Sequence, residues 1–569
     1  MTTPKTLCRM KARLVGALVV GALLGASPAF AAAFGVTSGK IAVFTNGVAI
    51  ATTDVAITFP APGGIYNAAT FDAGCVAAGF CGTASAGDGI SRVEISIRQS
   101  GGNYWNGTSF GSPTEQLLLA AGAETWSLAF PASNLPSGSY VVNATATATG
   151  GATGAASATF TIDKGAPAAS ITFPANGAVY NQAALTAGCG TPGTSDLCGT
   201  ASDPQTSVAD VKVSLRQAGG NYWNGTGFSS ATEQLLSVGG TTSWTFGFPT
   251  ASFPASGSYV LRAVATDAAG NTGAASATFT FDRDAPIPGV AFPTAGAFYN
   301  AAGFNAGCST GGGDLCGTAT DVGSSITDLR VSVRQGSANY WSGSGFASPT
   351  EVLLASIGLP SWTLSFAGSN FAVDGNYTVR AQATDGAGNL GSESRTFTID
   401  NTAPAGTDVQ TANKTAGIAG RAEQGDTVTF TFSEQMSAPS IVAGWDGTAR
   451  NIVVRILNGT GQGNDLLAFY DATNTTQLPL GTVDLGDKTY NSANGNTVVT
   501  FGASGTASTM TISGSQIVII LGTASATTVG TVTANTAMIW TTATGPTDRA
   551  GNPLSTAVVN ETGTADREF

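Results

Sequence analysis

The chain has 569 residues, 76 of them glycine, with 23 Lys+Arg against 35 Asp+Glu and no histidine. Without histidine, every His-dependent triad and every His-ligated zinc or haem site is excluded. A formal net charge of −12 leaves no basic footprint for nucleic acid. At about 150 residues per domain, the length predicts about four domains.

Residues 1–31 read as a secretory signal peptide. Lys5, Arg9, Lys11 and Arg13 precede the apolar run Leu14 to Leu24, and Ala29-Phe30-Ala31 supplies a small-x-small cleavage site. The run is too short for a membrane span. Its loss removes four basic residues and no acidic one, taking the charge from −12 to −16. The expected location is therefore outside the cell or on its surface. Residues 32–56 form an N-terminal arm, in which Asn46-Gly47 between Phe44 and Val48 is a hairpin signal.

Three repeats follow, 57–167, 168–286 and 287–404. Asn103-Tyr104-Trp105, Asn221-Tyr222-Trp223 and Asn339-Tyr340-Trp341 recur at a spacing of 118, as do Trp126, Trp244 and Trp362. Each repeat opens on Phe-Pro, continues through Tyr-Asn to a cysteine pair, and closes on an Asp and an Ala-Pro step. Those Pro steps mark boundaries, because proline cannot continue a ladder. Within a repeat the period is two. Val93, Ile95 and Ile97 alternate with Glu94, Ser96 and Arg98, the pattern of a half-buried strand. A helical period shows only in the short stretch 349–354. Six cysteines remain after export, in close pairs: Cys75/Cys81, Cys189/Cys198 and Cys308/Cys316. An even number in an exported chain predicts three small-loop disulfides.

Short strands separated by turn signals predict an all-β chain of tandem two-sheet sandwiches. Gly-x-Tyr before an alternating strand stands where an immunoglobulin-type sandwich carries its tyrosine corner. With Asp267-Ala268-Ala269-Gly270-Asn271, Asp385-Gly386-Ala387-Gly388-Asn389 and the closing Asp-x-x-Ala-Pro, the repeats resemble the bacterial immunoglobulin-like repeats of exported surface proteins. The first repeat departs from that pattern, with Ala148 and Ala152 at the hairpin positions. Residues 405–569 differ again. Their Phe432-Ser433-Glu434-Gln435-Met436 resembles the Phe-Ser-Glu-x-Met type of bacterial immunoglobulin-like domain on surface-layer and adhesin proteins. The resemblance implies a non-catalytic spacer or adhesin, with a cell-surface glycan or protein as partner. The Thr-rich strand edges add self-association as an expectation.

Two constellations compete with a purely structural reading. Tyr104, Trp105, Tyr222, Trp223, Tyr340 and Trp341 could stack on sugar rings, or pack the core. The acidic set Asp203, Asp267, Asn271, Asp282, Asp321, Asp385, Asn389 and Asp400 suits turn chemistry, or calcium in a stiffened surface rod. No other cofactor is expected. No nucleophile elbow, P-loop or dinucleotide fingerprint occurs, and no enzymatic activity is expected.

Overall fold

The computed structural model describes residues 52–190, 196–308, 314–459, 463–491, 498–525 and 529–569, with the backbone of four short strands between 36 and 49. The signal segment 1–31 lies outside the described residues. In the arm, Phe44–Thr45 pairs antiparallel with Val48–Ala49, and Val36–Thr37 with Lys40–Ile41. Two compact units emerge: Met1–Ala168 with Ala201–Asp210 and Ala265–Gly273, and Ala169–Thr200 with Val211–Val264 and Ala274–Phe569. This division does not follow the repeats, since two loops of the second repeat cluster with the first.

The first repeat is a pair of sheets. One has the order Ala121–Gly122, Thr125–Ala129, Gly79–Ser85, Asp54–Phe59. The other runs Phe110–Ser112, Tyr104–Trp105, Ile90–Gln99, Gly138–Ala148, Thr153–Ile162, Gly64–Tyr66, and only its last pairing is parallel. Alternation along Ile90–Gln99 turns Val93, Ile95 and Ile97 inward, where they meet Phe71, Phe80, Trp126, Tyr140 and Phe160 in one core. The third repeat has the matching sheets, from Ile287–Phe292 to Leu390–Ile399. The second carries the corresponding strands from Ala168–Phe173 to Thr272–Phe281.

Three local devices fix each sandwich. The buried Tyr140, Tyr259 and Tyr377 donate their hydroxyls to the carbonyls of Pro136, Ala255 and Val373, at 2.7, 2.8 and 2.6 Å. These are the expected tyrosine corners. The Tyr-Asn steps cap short helices: the Asn67, Asn181 and Asn300 side chains accept from Thr70, Ala184 and Gly303 N–H, each at 2.8 Å. The predicted disulfides join Cys75 to Cys81, Cys189 to Cys198 and Cys308 to Cys316, with Cα atoms 6.1, 6.2 and 6.4 Å apart. One requirement falls on glycine. A Cβ at Gly199 would strike the Ser170 carbonyl and the Trp244 ring, so the buried indole needs a bare backbone beneath it.

The short helical period at 349–354 does not form a helix. Leu354–Ala355 is a strand on Ile326–Gln335. Glu351 accepts from Ser332 Oγ at 2.6 Å and from Arg380. Tertiary hydrogen bonds of this kind override a short periodic signal.

Residues 406–560 depart from the two-sheet plan. Ten strands form one ladder, from Gly406–Ala412 through Thr427–Phe432 and Arg450–Leu457 to Val558–Asn560. The sheet bends over its own core, which includes Phe430, Phe469, Trp540 and Met538. Gln410 Nε2 on the first strand donates to Thr562 O at 2.9 Å, just beyond the last, so the two ends meet. No described helix is long and apolar enough to cross a membrane.

Candidate functional site

The acidic residues assemble across repeat boundaries. Three clusters each bring one carboxyl oxygen from three residues to within 4.8 Å of one another: Asp163/Asp203/Asp267, Asp282/Asp321/Asp385 and Asp400/Glu434/Asp548. In each, the first residue ends one domain and the other two come from the next. The predicted set Asp203, Asp267, Asp282, Asp321, Asp385 and Asp400 is all present, but grouped by junction and not by repeat.

A clamp holds each cluster. The Asn271 side chain donates from Nδ2 to the Asp163 carbonyl at 2.9 Å and to Asp267 Oδ2 at 2.8 Å. Asn389 does the same to the Asp282 carbonyl (3.1 Å) and Asp385 Oδ2 (2.8 Å). Asn552 repeats it on the Asp400 carbonyl (2.8 Å) and Asp548 Oδ2 (2.7 Å). The other oxygen of each hairpin aspartate accepts the asparagine's own N–H, at 2.8 Å in all three. The Asp-x-x-Gly-Asn hairpin is thus turn chemistry that also grips the preceding domain. Ala148 and Ala152 do not weaken the first cluster, because its hairpin comes from the second repeat.

In the first two clusters some carboxylate oxygens lack a hydrogen-bond partner. Asp282 is wholly buried, yet its Oδ2 has no hydrogen-bond partner; Asp203 and Asp321 are half-buried, and the buried Oδ2 of the one and Oδ1 of the other also lack a partner. A buried carboxylate oxygen without a partner is costly unless a cation meets it. In the third cluster, burial and the neighbouring Asp400 and Asp548 push the Glu434 carboxyl up to about 7. Burial opposes charge on Asp203, but Thr206 and Gln205 N–H groups outweigh it and hold that carboxyl below its usual range. Hard oxygen ligands, buried or half-buried and converging without His or Cys, fit calcium better than a soft metal.

The aromatic motif sits elsewhere. Trp105 and Trp223 are buried and Trp341 half-buried. Their rings pack on Phe130, Phe248 and Phe366 in T-shaped contacts at 5.0, 5.0 and 5.1 Å. Tyr104, Tyr222 and Tyr340 are half-buried, each under an arginine (Arg98, Arg216, Arg334) at 5.3–5.4 Å.

Sequence reasoning missed Asp163, Glu434, Asp548 and Asn552 as cluster members. The signal was present: the closing Asp of each repeat recurs with its Ala-Pro step, and Asp548-Arg549-Ala550-Gly551-Asn552 matches the hairpin. Only the junction geometry couples the two.

Tandem all-β sandwiches with tyrosine corners define an immunoglobulin-like repeat protein. Residues 169–283 and 337–401 match the family model of the bacterial Ig-like domain. Among solved structures it is similar to a tetra-tandem repeat in the extending region of a large adhesion protein (20% identity, 88% of this chain and 99% of that one, TM-score 0.27). It is also similar to a structure from a 1.5-MDa bacterial ice-binding adhesin (18% identity, 62% and 99%, TM-score 0.27). A third is a Ca2+-stabilized adhesin of an Antarctic bacterium (18% identity, 83% and 98%, TM-score 0.24). No curated protein matches the sequence.

Proposed function

We propose that this protein is an exported, non-catalytic spacer or adhesin of the bacterial surface, whose domain junctions are fixed by divalent cations, calcium foremost. The observation that carries this reading is the threefold recurrence of a clamped three-carboxylate cluster, two of which hold a buried carboxylate oxygen without a hydrogen-bond partner. A bound ion would tie the last residue of one domain to two loops of the next, so that the junction resists bending. The disulfides pin local excursions, and the partner at the working end is a surface glycan or protein. Thermal unfolding of the full exported chain in calcium and in EDTA tests the cation. Calcium should raise the melting temperature, with chelation reversing the rise. An identical melting curve in both would end the reading.

A further inference from the structure

The segment 561–569 returns to the last domain as a fastened strap. Glu561 exchanges bonds with Met538: its N–H donates to the Met538 carbonyl at 3.0 Å, and its Oε2 accepts from Met538 N–H at 2.9 Å. Thr536 and Asp566 exchange both backbone bonds, at 2.8 and 3.2 Å. Thr411 Oγ1 donates to Glu568 Oε2 at 2.7 Å and accepts from Phe569 N–H at 3.1 Å. Tyr490 donates its hydroxyl to the Glu568 carbonyl at 3.2 Å, and the Phe569 ring lies 6.1 Å from that of Tyr490, in the core.

This strap carries a charge arrangement that its own hydrogen bonds do not resolve. Glu568 is wholly buried, and its Oε1 has no hydrogen-bond partner. One carboxyl oxygen each from Glu561, Asp566 and Glu568 lies within 4.8 Å of the others. Three carboxyl groups this close, one of them buried with an unpartnered oxygen, repel one another unless a cation lies between them. Asp566 is exposed, so the cluster has a face open to solvent from which an ion enters with part of its water shell.

We propose that Glu561, Asp566 and Glu568 form a fourth divalent-cation site, inside the last domain, which fastens the segment 561–569 to its sheet. The donors are all hard oxygens in an irregular arrangement, which suits calcium better than the strict octahedron of magnesium. The site uses none of the junction residues, and its standing is independent of theirs.

The test is calorimetric titration of calcium chloride into the EDTA-stripped full chain, with hydrogen exchange read on the peptide covering 561–569. In the wild type, calcium should slow exchange there. Asp566→Asn, at an exposed position, should lose one calcium equivalent or weaken it about tenfold or more, and lose the calcium-dependent protection. Glu568→Gln should do the same; if it does not fold, Asp566→Asn alone decides. Asp321→Asn, at a junction, should lose a different equivalent and leave the protection of 561–569 intact. Unchanged stoichiometry in Asp566→Asn, or exchange of 561–569 indifferent to calcium, overturns the site whatever the junctions do.

Discussion

Glu434→Gln separates the cation reading from ordinary structural roles, because its effect should change sign with calcium. In the calcium-free protein Glu434 keeps its proton up to about pH 7, whereas the unfolded chain loses it near the ordinary Glu value. Between those values the folded state binds more protons than the unfolded one. Stability therefore falls as pH rises through that window, and the full penalty stands above it. A shift of this size corresponds to about 3 kcal/mol, which partial solvent exposure reduces to roughly 1.5–2 kcal/mol. Glutamine keeps the shape and removes the charge. At pH 8 in EDTA the variant should be more stable than wild type by that amount, about 3–8 °C in the melting temperature of a domain this size. In saturating calcium the order should reverse. Wild type gains about 2.7 kcal/mol when the ion is at a hundred times its dissociation constant, and the variant, short of one ligand, gains less. Differential scanning calorimetry across pH 5–8, with and without calcium, reads both effects. Equal destabilisation of Glu434→Gln in EDTA and in calcium would refute the reasoning.

Three further outcomes are expected. Asn552→Ala removes the donor shared by the Asp400 carbonyl and Asp548 Oδ2, leaving acceptors unpaired; denaturant unfolding should show a loss of about 1–3 kcal/mol, and no loss would mean the clamp is idle. Trp223→Ala should cost about 3–5 kcal/mol in urea unfolding, because the ring packs on Phe228 and Phe248; a change below about 1 kcal/mol would place it outside the core. Reducing the Cys75–Cys81 bridge, whose partners are six residues apart, should cost only about 2 kcal/mol, seen as a modest drop in melting temperature; unfolding of the whole repeat would contradict a local role.

Much of the sandwich is legible in the residues because strands declare themselves by a period of two. Val93, Ile95 and Ile97 face the core as their alternation requires, and Tyr140, Tyr259 and Tyr377 close the corners that Gly-x-Tyr announces. The stretch 349–354 misleads because Glu351 is claimed by Ser332 and Arg380, contacts that no local period encodes. The ten-stranded ladder of 406–560 is equally hidden, since pairing between Arg450–Leu457 and Ser508–Ser513 spans a long sequence interval. The clusters were half visible. Asp321 and Asp385 stand out in one repeat, but Asp282 belongs to the end of the previous one, and reading repeat by repeat assigns it to the wrong partners.

The clamp is split between neighbours like a plug and a socket, and this bears on copy number. The second and third repeats each carry both halves: a hairpin that receives (Asp267/Asn271, Asp385/Asn389) and a closing aspartate that is received (Asp282, Asp400). The first repeat contributes only the plug, Asp163, to these three joints, and the last domain only the socket, Glu434, Asp548 and Asn552. Duplicating or deleting a middle repeat would therefore leave every joint chemically complete. The number of repeats could change in steps of about 118 residues without any new interface having to evolve.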